Sequence, residues 1–470
     1  MATSQVTVRF LVAIVVFVVA YSSVARLLFI AGNKTTATAA AAAVGPGAST
    51  PRRSNPHWPV CDVTNPQHQI CRLVGDVRVV GATNTVLLYL APAAAGTDHQ
   101  QQANATTTTT WLIKAQSARY IRDSERVRVT AVVVLRGRGR PPAPAPACTA
   151  RCPSPAVVFT VSRHLRNPWH SFADVLVPLF ATARAFGRRV QLVVTNGRRA
   201  RWFVGRFGPV LAALSAHDVV DFDADGDEVV RCYRRAVVGL RSRADLVVDG
   251  DDGYTLLDFH AFLRSAYALP PPAPRKKEAL RRPRLMLLDR HKTRRFVNTP
   301  EISAAVRRAG FELVTVEPRP SGGEELAALA RLVDSCDVLV GAHGAGLMHL
   351  MFLRAGSVVV EVVPYGFAAA GAAAASSPRD YYERPAKALR LRYVGYEVAA
   401  EESTLLDRYG AAHPVIRDPE GVFRRGEAEG KPYAFRHYWT EQDIRVNVTR
   451  FAGVLETARR HVGAQRRRDK

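Results

Sequence analysis

Residues 285–363 alternate strand-like apolar runs with helix-like amphipathic ones, and this alternation restricts the fold more than any other feature of the chain. Leu285-Met286-Leu287-Leu288-Asp289 reads as a buried strand. Thr299-Pro300-Glu301 opens a helix, with Thr299 as N-cap and Pro300 at the first position, that ends at Gly310. Phe311 to Val316 is the next strand, 323–336 the next helix, Asp337 to Val340 the third strand and Ser357 to Val363 the fourth. Strands that are apolar on both faces and separated by helices require a parallel sheet covered on both sides. The expectation is a doubly wound, Rossmann-like α/β lobe over 285–400.

A similar lobe is expected upstream, over 148–268. Ala156 to Val161 and Val190 to Thr195 read as strands, and Pro168 to Phe180 between them has the apolar spacing of a helix. The Pro- and Lys/Arg-rich segment 269–284 reads as a linker and 401–470 as a C-terminal extension. Residues 57–147 form an N-terminal β-rich region, with Val/Leu-rich signals at 72–92 and 126–136 around an Ala/Gln/Thr-rich loop.

The third strand of the 285–400 lobe runs directly into Gly341-Ala342-His343-Gly344-Ala345-Gly346. Ligands of doubly wound sheets sit beyond the carboxyl ends of the strands, so Gly341, Gly344 and Gly346 are placed to cradle an anionic diphosphate with backbone N–H groups. A helix starting near Leu347 would add its dipole, and His343 a ring N–H to a phosphate or to the sugar. The spacing is not GxGxxG and no P-loop Lys-Ser/Thr follows, which argues against dinucleotide and ATP sites. Arg290 and Arg294, just past the first strand of the lobe, offer guanidinium forks to the same diphosphate. Glu361 interrupts an apolar strand, and a carboxylate there requires a partner. In the first lobe His170 and Asp174 stand four apart, on one face of a helix. Asp221 to Asp225 and Asp249 to Asp252 fit a metal site only loosely and read as acidic surface loops; no metal or other cofactor is expected.

Residues 10–31 are predominantly apolar with Arg26 as their one charge, long enough to cross a bilayer of ~30 Å with Arg26 snorkelling to an interface. A cleaved signal peptide is the competing reading, but the run exceeds the usual ~7–15-residue apolar region. The expected order is a cytosolic tail at 1–9, a signal anchor at 10–31, a Thr/Ala/Gly/Pro/Ser-rich stem at 32–56 and a lumenal body. Sequons at Asn33, Asn104 and Asn447, together with six cysteines, favour an oxidising lumen. Cys61 and Cys71 are candidates for one short disulfide; Cys148, Cys152, Cys232 and Cys336 remain open between further bridges and, for Cys232 and Cys336, buried free thiols. The formal charge of +24 rests on 57 Arg among 65 basic residues spread along the chain, without any nucleic-acid-binding motif. Nucleic acid is therefore not expected as a partner.

Val340-Gly341-Ala342-His343-Gly344-Ala345-Gly346-Leu347-Met348-His349, followed by Phe352 to Pro364, resembles the signature of glycosyltransferase family 61. The resemblance runs from about Cys61 to Phe451 and includes Gly75-Asp76-Val77-Arg78 and the stretch Asp289 to Asn298. It implies a GT-B-like arrangement of two Rossmann-like lobes. It implies inverting transfer of a pentose, xylose or arabinofuranose, from a UDP-sugar to xylan or a related cell-wall glycan at the Golgi membrane. Transfer to N-glycans or protein O-glycans, and a non-catalytic lumenal scaffold, are the alternatives. Neither homo- nor hetero-oligomers are excluded. Arg290, Arg294, Gly341, His343, Gly344, Gly346 and Glu361 would then bind the donor. Family members carry Gly-Asn-x-x-His-Asp-Phe-x-Asp-Val in the first lobe, where this chain reads Arg166 to Val175. His170 and Asp174 match, as base or acceptor ligand and as its orienting partner; Ser171 replaces a carboxylate, and Pro168-Trp169 departs from the pattern.

Overall fold

The computed structural model describes residues 60–90, 107–117, 122, 125–133, 145–224, 229–248, 253–271, 281–317, 322–369, 378–429 and 433–468. The anchor at 10–31, the stem, and the sequons at Asn33 and Asn104 lie outside these residues. No described helix is long and apolar enough to cross a membrane.

Among the described residues, fifteen strands form two sheets. The first contains β1 (Cys61–Asp62), β2 (Ile70–Val80), β3 (Thr85–Leu90), β4 (Thr107–Ile113), β5 (Val127–Val133), β6 (Ala150–Cys152), β7 (Ala156–Thr160), β8 (Gln191–Thr195), β9 (Val220–Asp221) and β10 (Val230–Val238). Its main order is β4-β5-β3-β2-β10-β7-β8-β9. The parallel strands β10, β7, β8 and β9 make the half expected from the sequence. Antiparallel pairing of β2 with β10 continues the same sheet into the strands of 57–147, so the two regions that the sequence reading separates share one sheet. Disulfides join Cys61 to Cys71, as expected, and Cys148 to Cys232. Cys232 is therefore not a free thiol, whereas Cys336 is free and buried and Cys152 free and half-buried.

The second sheet is wholly parallel, with β11 (Arg284–Leu288), β12 (Glu312–Val316), β13 (Val338–Ala342), β14 (Val358–Val363) and β15 (Arg392–Glu397) in the order β12-β11-β13-β14-β15. Every residue of β13 and β14 is buried, as a strand covered on both faces demands. One face is covered by the helices Thr299–Arg308 and Val448–Arg468 through Ile302, Val306, Phe451 and Leu455. The N-cap of the first of these is Asn298 rather than Thr299. Its amide nitrogen donates to Glu301 and to the Val446 carbonyl, and its oxygen accepts from Val446 N at 3.0 Å, which ties the C-terminal extension to the lobe.

The other face merges with the first lobe. A single apolar cluster runs from Phe159, Phe172 and Phe180 through Leu347 to Leu353 into Met286, Leu339 and Val359. The helices Gly197–Leu214 and Gly323–Asp334 approach backbone to backbone: a Cβ on Gly323 would lie 2.4 Å from the Gly205 carbonyl. Burial of this kind stabilises at about 25 cal/mol per Å² of apolar surface. The mixed α/β body over Pro59–Lys470 is accordingly one compact unit.

Candidate active site

In a doubly wound sheet ordered 2-1-3-4-5 the strand order reverses between the first and third strands, here β11 and β13, and a crevice opens beyond their carboxyl ends. Arg290 and Arg294 follow β11; His343 and Gly344 follow β13. Gly344 has φ 149°, and a Cβ on it would lie 2.5 Å from Arg290 Nη1, so a guanidinium rests directly on bare backbone. Gly341 and Gly346 lack a positive φ. A Cβ on Gly341 would meet Leu288 at 3.2 Å and Leu347 at 3.3 Å, a packing constraint, while the Gly346 carbonyl binds His349 Nδ1 at 2.6 Å. The helix expected near Leu347 is a 3₁₀ run, Ala345–Phe352, almost wholly buried between the lobes. It offers a weaker dipole than an α-helix, which shifts the burden of binding an anion onto the arginines.

Those arginines are placed for it. Arg294 is 9% exposed, with its backbone in the left-handed region at φ 55°. It donates to the His343 carbonyl at 2.9 Å and lies 5.5 Å over the Trp439 ring. Arg290 donates from Nε to the Thr293 carbonyl at 2.8 Å. Among the described residues neither guanidinium has a carboxylate partner, and the Arg294 Nε is buried without a hydrogen bond. Burial and the neighbouring Arg290 push the Arg294 guanidinium down to about 9; burial also lowers Arg290. Both stay cationic at neutral pH. A buried cation beside a half-buried one, with no carboxylate partner, is costly, and an anion entering the site would offset that cost.

His343, fully enclosed, pairs through Nδ1 with Glu361, whose other oxygen accepts the Tyr393 hydroxyl at 2.7 Å. Glu361 is 0% exposed and sits behind His343, so both its oxygens are spent on neighbours. The buried carboxylate has the partner it requires, and its place is that of a positioning residue. Burial, helped by the two arginines, lowers the His343 pKa against the pull of Glu361. The ring is then neutral, with its Nδ1 proton held by Glu361, and Nε2 is left as an acceptor. An acceptor suits a hydroxyl better than a phosphate oxygen, contrary to the N–H expected from sequence.

The first lobe supplies His170 and Asp174 from a helical run that begins at Pro168, capped by Asn167, whose Oδ1 accepts from Trp169 N at 2.9 Å. The run is π-helical over Ser171–Leu176 and α-helical again over Val177–Ala183. His170 Nδ1 and Asp174 Oδ2 are 2.9 Å apart, with the His170 side chain 35% exposed and that of Asp174 4%. Burial raises the Asp174 carboxyl to about 6, opposed by the bond to His170. Ser171, at the position where the family carries a carboxylate, is buried and bonds the Leu165 carbonyl at 2.5 Å. It carries no charge to the site.

The two halves meet through aromatic rings. Trp169 lies 5.1 Å from His170 and 5.3 Å from Tyr381, and Tyr381 lies 5.9 Å from His343. Phe367, Tyr382 and Trp439 complete a cage around His343 at 4.7, 5.3 and 5.2 Å. Sequence reasoning missed Tyr381, Tyr382, Tyr393 and Trp439 as site residues. Tyr381 and Tyr382 come from a short turn segment, Tyr393 from β15, and only the return of the tail, through the helix Tyr433–Thr440, brings Trp439 in. Of the acidic stretches, Asp221 ends β9, while Asp225 and 249–252 fall outside the described residues.

The family model for glycosyltransferase 61 matches residues 169–360, from Trp169 at the first-lobe site to Val360 beside Glu361. A beta-1,2-xylosyltransferase of Oryza sativa subsp. japonica, XYXT1, is 34% identical over 84% of this chain and 82% of its own length. An alpha-1,3-arabinosyltransferase of the same organism, XAT3, is 32% identical over 84% of this chain and 64% of its own. The xylan glycosyltransferase MUCI21 of Arabidopsis thaliana is 29% identical over 84% and 78%. A likeness sustained over that share of both chains, with His170, Asp174, Arg290, Arg294 and His343 inside the matched segment, makes the chain a member of glycosyltransferase family 61 and a glycosyltransferase.

Proposed function

We propose that this enzyme transfers a pentose, xylose or arabinofuranose, from a UDP-sugar to a xylan-type polysaccharide with inversion, using a GT-B-like two-lobed body. The carrying observation is the pair of carboxylate-free guanidiniums at the switch point of the second sheet, Arg294 buried and Arg290 half-buried. A leaving diphosphate neutralised there needs no metal, since fixed cations stabilise the charge as it develops. His343, oriented by Glu361, accepts a hydroxyl of the donor. His170, with Asp174 behind it, takes the proton of the acceptor hydroxyl, which attacks the anomeric carbon from the side opposite the diphosphate. The xylan acceptor is supported by the names of the relatives.

Purified full-length protein incubated with UDP-xylose or UDP-arabinofuranose and xylo-oligosaccharides should extend the acceptor by one pentose, read by mass. UDP binding without transfer to any acceptor of the panel would overturn the reading. Gly344→Ala should lower UDP affinity by about tenfold or more, because its Cβ displaces Arg290 and its φ strains any L side chain. A calorimetric titration checks this.

The proposed location is the Golgi membrane, with residues 10–31 as anchor and the body in the lumen. Asn447 is exposed and caps the last helix through Oδ1, which accepts from Thr449 N and Arg450 N, leaving the amide nitrogen that glycosylation modifies. Glycosidase treatment should therefore lower the mass of the protein from microsomes, and Asn447→Gln should remove part of the shift. Unchanged mass, with the body cut by protease added to intact vesicles, would contradict a lumenal body.

A further inference from the structure

At the opposite edge of the second sheet, where β11, β13 and β14 begin, lies a cavity of about 340 Å³, within the ~300–1,000 Å³ of small-molecule sites. Arg264, Arg281, Arg354 and Arg466 line it, with Asp334 and Asp337. Each carboxylate is clamped by two guanidiniums. Arg264 and Arg354 reach Asp334 at 2.5 and 3.0 Å; Arg281 and Arg466 reach Asp337 at 3.1 and 2.9 Å. Among the described lining residues, four guanidiniums stand against two carboxylates, an excess of two positive charges. Arg281 Nη1 is moreover buried without a hydrogen-bond partner. Burial lowers the His260 pKa against the opposing pull of the bond from Nε2 to the Leu353 carbonyl, so that ring adds no charge of its own at neutral pH.

We propose that this cavity is a second anion site, distinct from the donor crevice, for a phosphate monoester on a small polar body such as a sugar phosphate. Three features select that class. The excess of two charges matches a phosphate monoester, which carries about −1.5 to −2 at neutral pH, better than a single carboxylate. Guanidinium N–H groups bind phosphoryl oxygens strongly, and Arg281 Nη1 is a buried donor with no bond to give up, whereas Arg466 already donates to Asp337 and to the Arg281 carbonyl. Apart from His260, the lining offers no aromatic ring on which a nucleotide base could stack, and the volume leaves room for a sugar beside the phosphate.

The probe is glucose 1-phosphate, titrated calorimetrically into the full chain in detergent with the donor crevice saturated by UDP; inorganic phosphate and free glucose are parallel arms. Binding of one equivalent of glucose 1-phosphate is expected, with none for glucose. Arg281→Gln should weaken it by about tenfold or more, whereas Arg281→Lys, which keeps the charge, should hold it within a few-fold. Equal affinity for inorganic phosphate would still support the site and assign it to the phosphoryl group alone. No heat above the UDP-saturated baseline, or an affinity that Arg281→Gln leaves unchanged in a variant with wild-type Tm, overturns the proposal.

Discussion

Asp174→Asn should lower transfer turnover by ~10²–10⁴-fold while leaving UDP affinity within a few-fold of wild type. The substitution keeps the shape of a buried side chain and removes the charge that favours a proton on His170, 2.9 Å away. The same pair sets the acid limb of the pH profile. Burial raises the Asp174 carboxyl from 3.8 to about 6, so it is ionised at neutral pH and becomes protonated as the pH falls through that value. Protonation cancels the charge that makes His170 an effective base. Turnover at saturating donor should thus decline below about pH 6, approaching tenfold per unit, and Asp174→Asn should displace this limb rather than abolish it, because the base must itself be unprotonated to act. The wild-type limb persisting unchanged in Asp174→Asn would remove Asp174 from the proton-transfer step.

Arg290→Ala should weaken UDP binding by about ten- to hundredfold, the worth of one charge-assisted contact of ~1.5–3 kcal/mol. Apo stability should not follow. Arg290 and Arg294 repel each other in a buried crevice, so deleting one relieves a desolvated cation, and the apo protein should melt no lower than wild type. Arg294→Ala differs, because that side chain also holds the His343 carbonyl and covers Trp439; it should lose both affinity and Tm. Calorimetry and thermal melts on the two variants check the contrast. A drop in Tm for Arg290→Ala as large as for Arg294→Ala would mean that both arginines serve the fold rather than an anion.

How much of this was legible in sequence follows from what each feature depends on. The strands of 284–363 are runs apolar on both faces, and a parallel buried sheet leaves few other solutions, so their limits are met within a residue or two. The i,i+4 spacing of His170 and Asp174 likewise carries its own geometry, which a local π-helical stretch does not disturb. Features set by distant register were not legible. Nothing in Ile70–Val80 announces that it pairs with Val230–Val238, and the bridge from Cys148 to Cys232 depends on the equally unannounced pairing of Ala150–Cys152 with the same strand. Glu361 illustrates the middle case. The anomaly of a carboxylate in an apolar strand was readable, but whether it faced a ligand or a neighbour depended on His343 and Tyr393 converging on it.

A crystal structure of the chain with UDP tests the central assignment most directly. The expected result is a diphosphate within hydrogen-bond reach of the Arg290 and Arg294 guanidiniums beside Gly344, with its leaving side turned toward His170. A diphosphate bound at the Asp221 loop or in the arginine cavity at the opposite edge of the sheet, with Arg290 and Arg294 untouched, would contradict it.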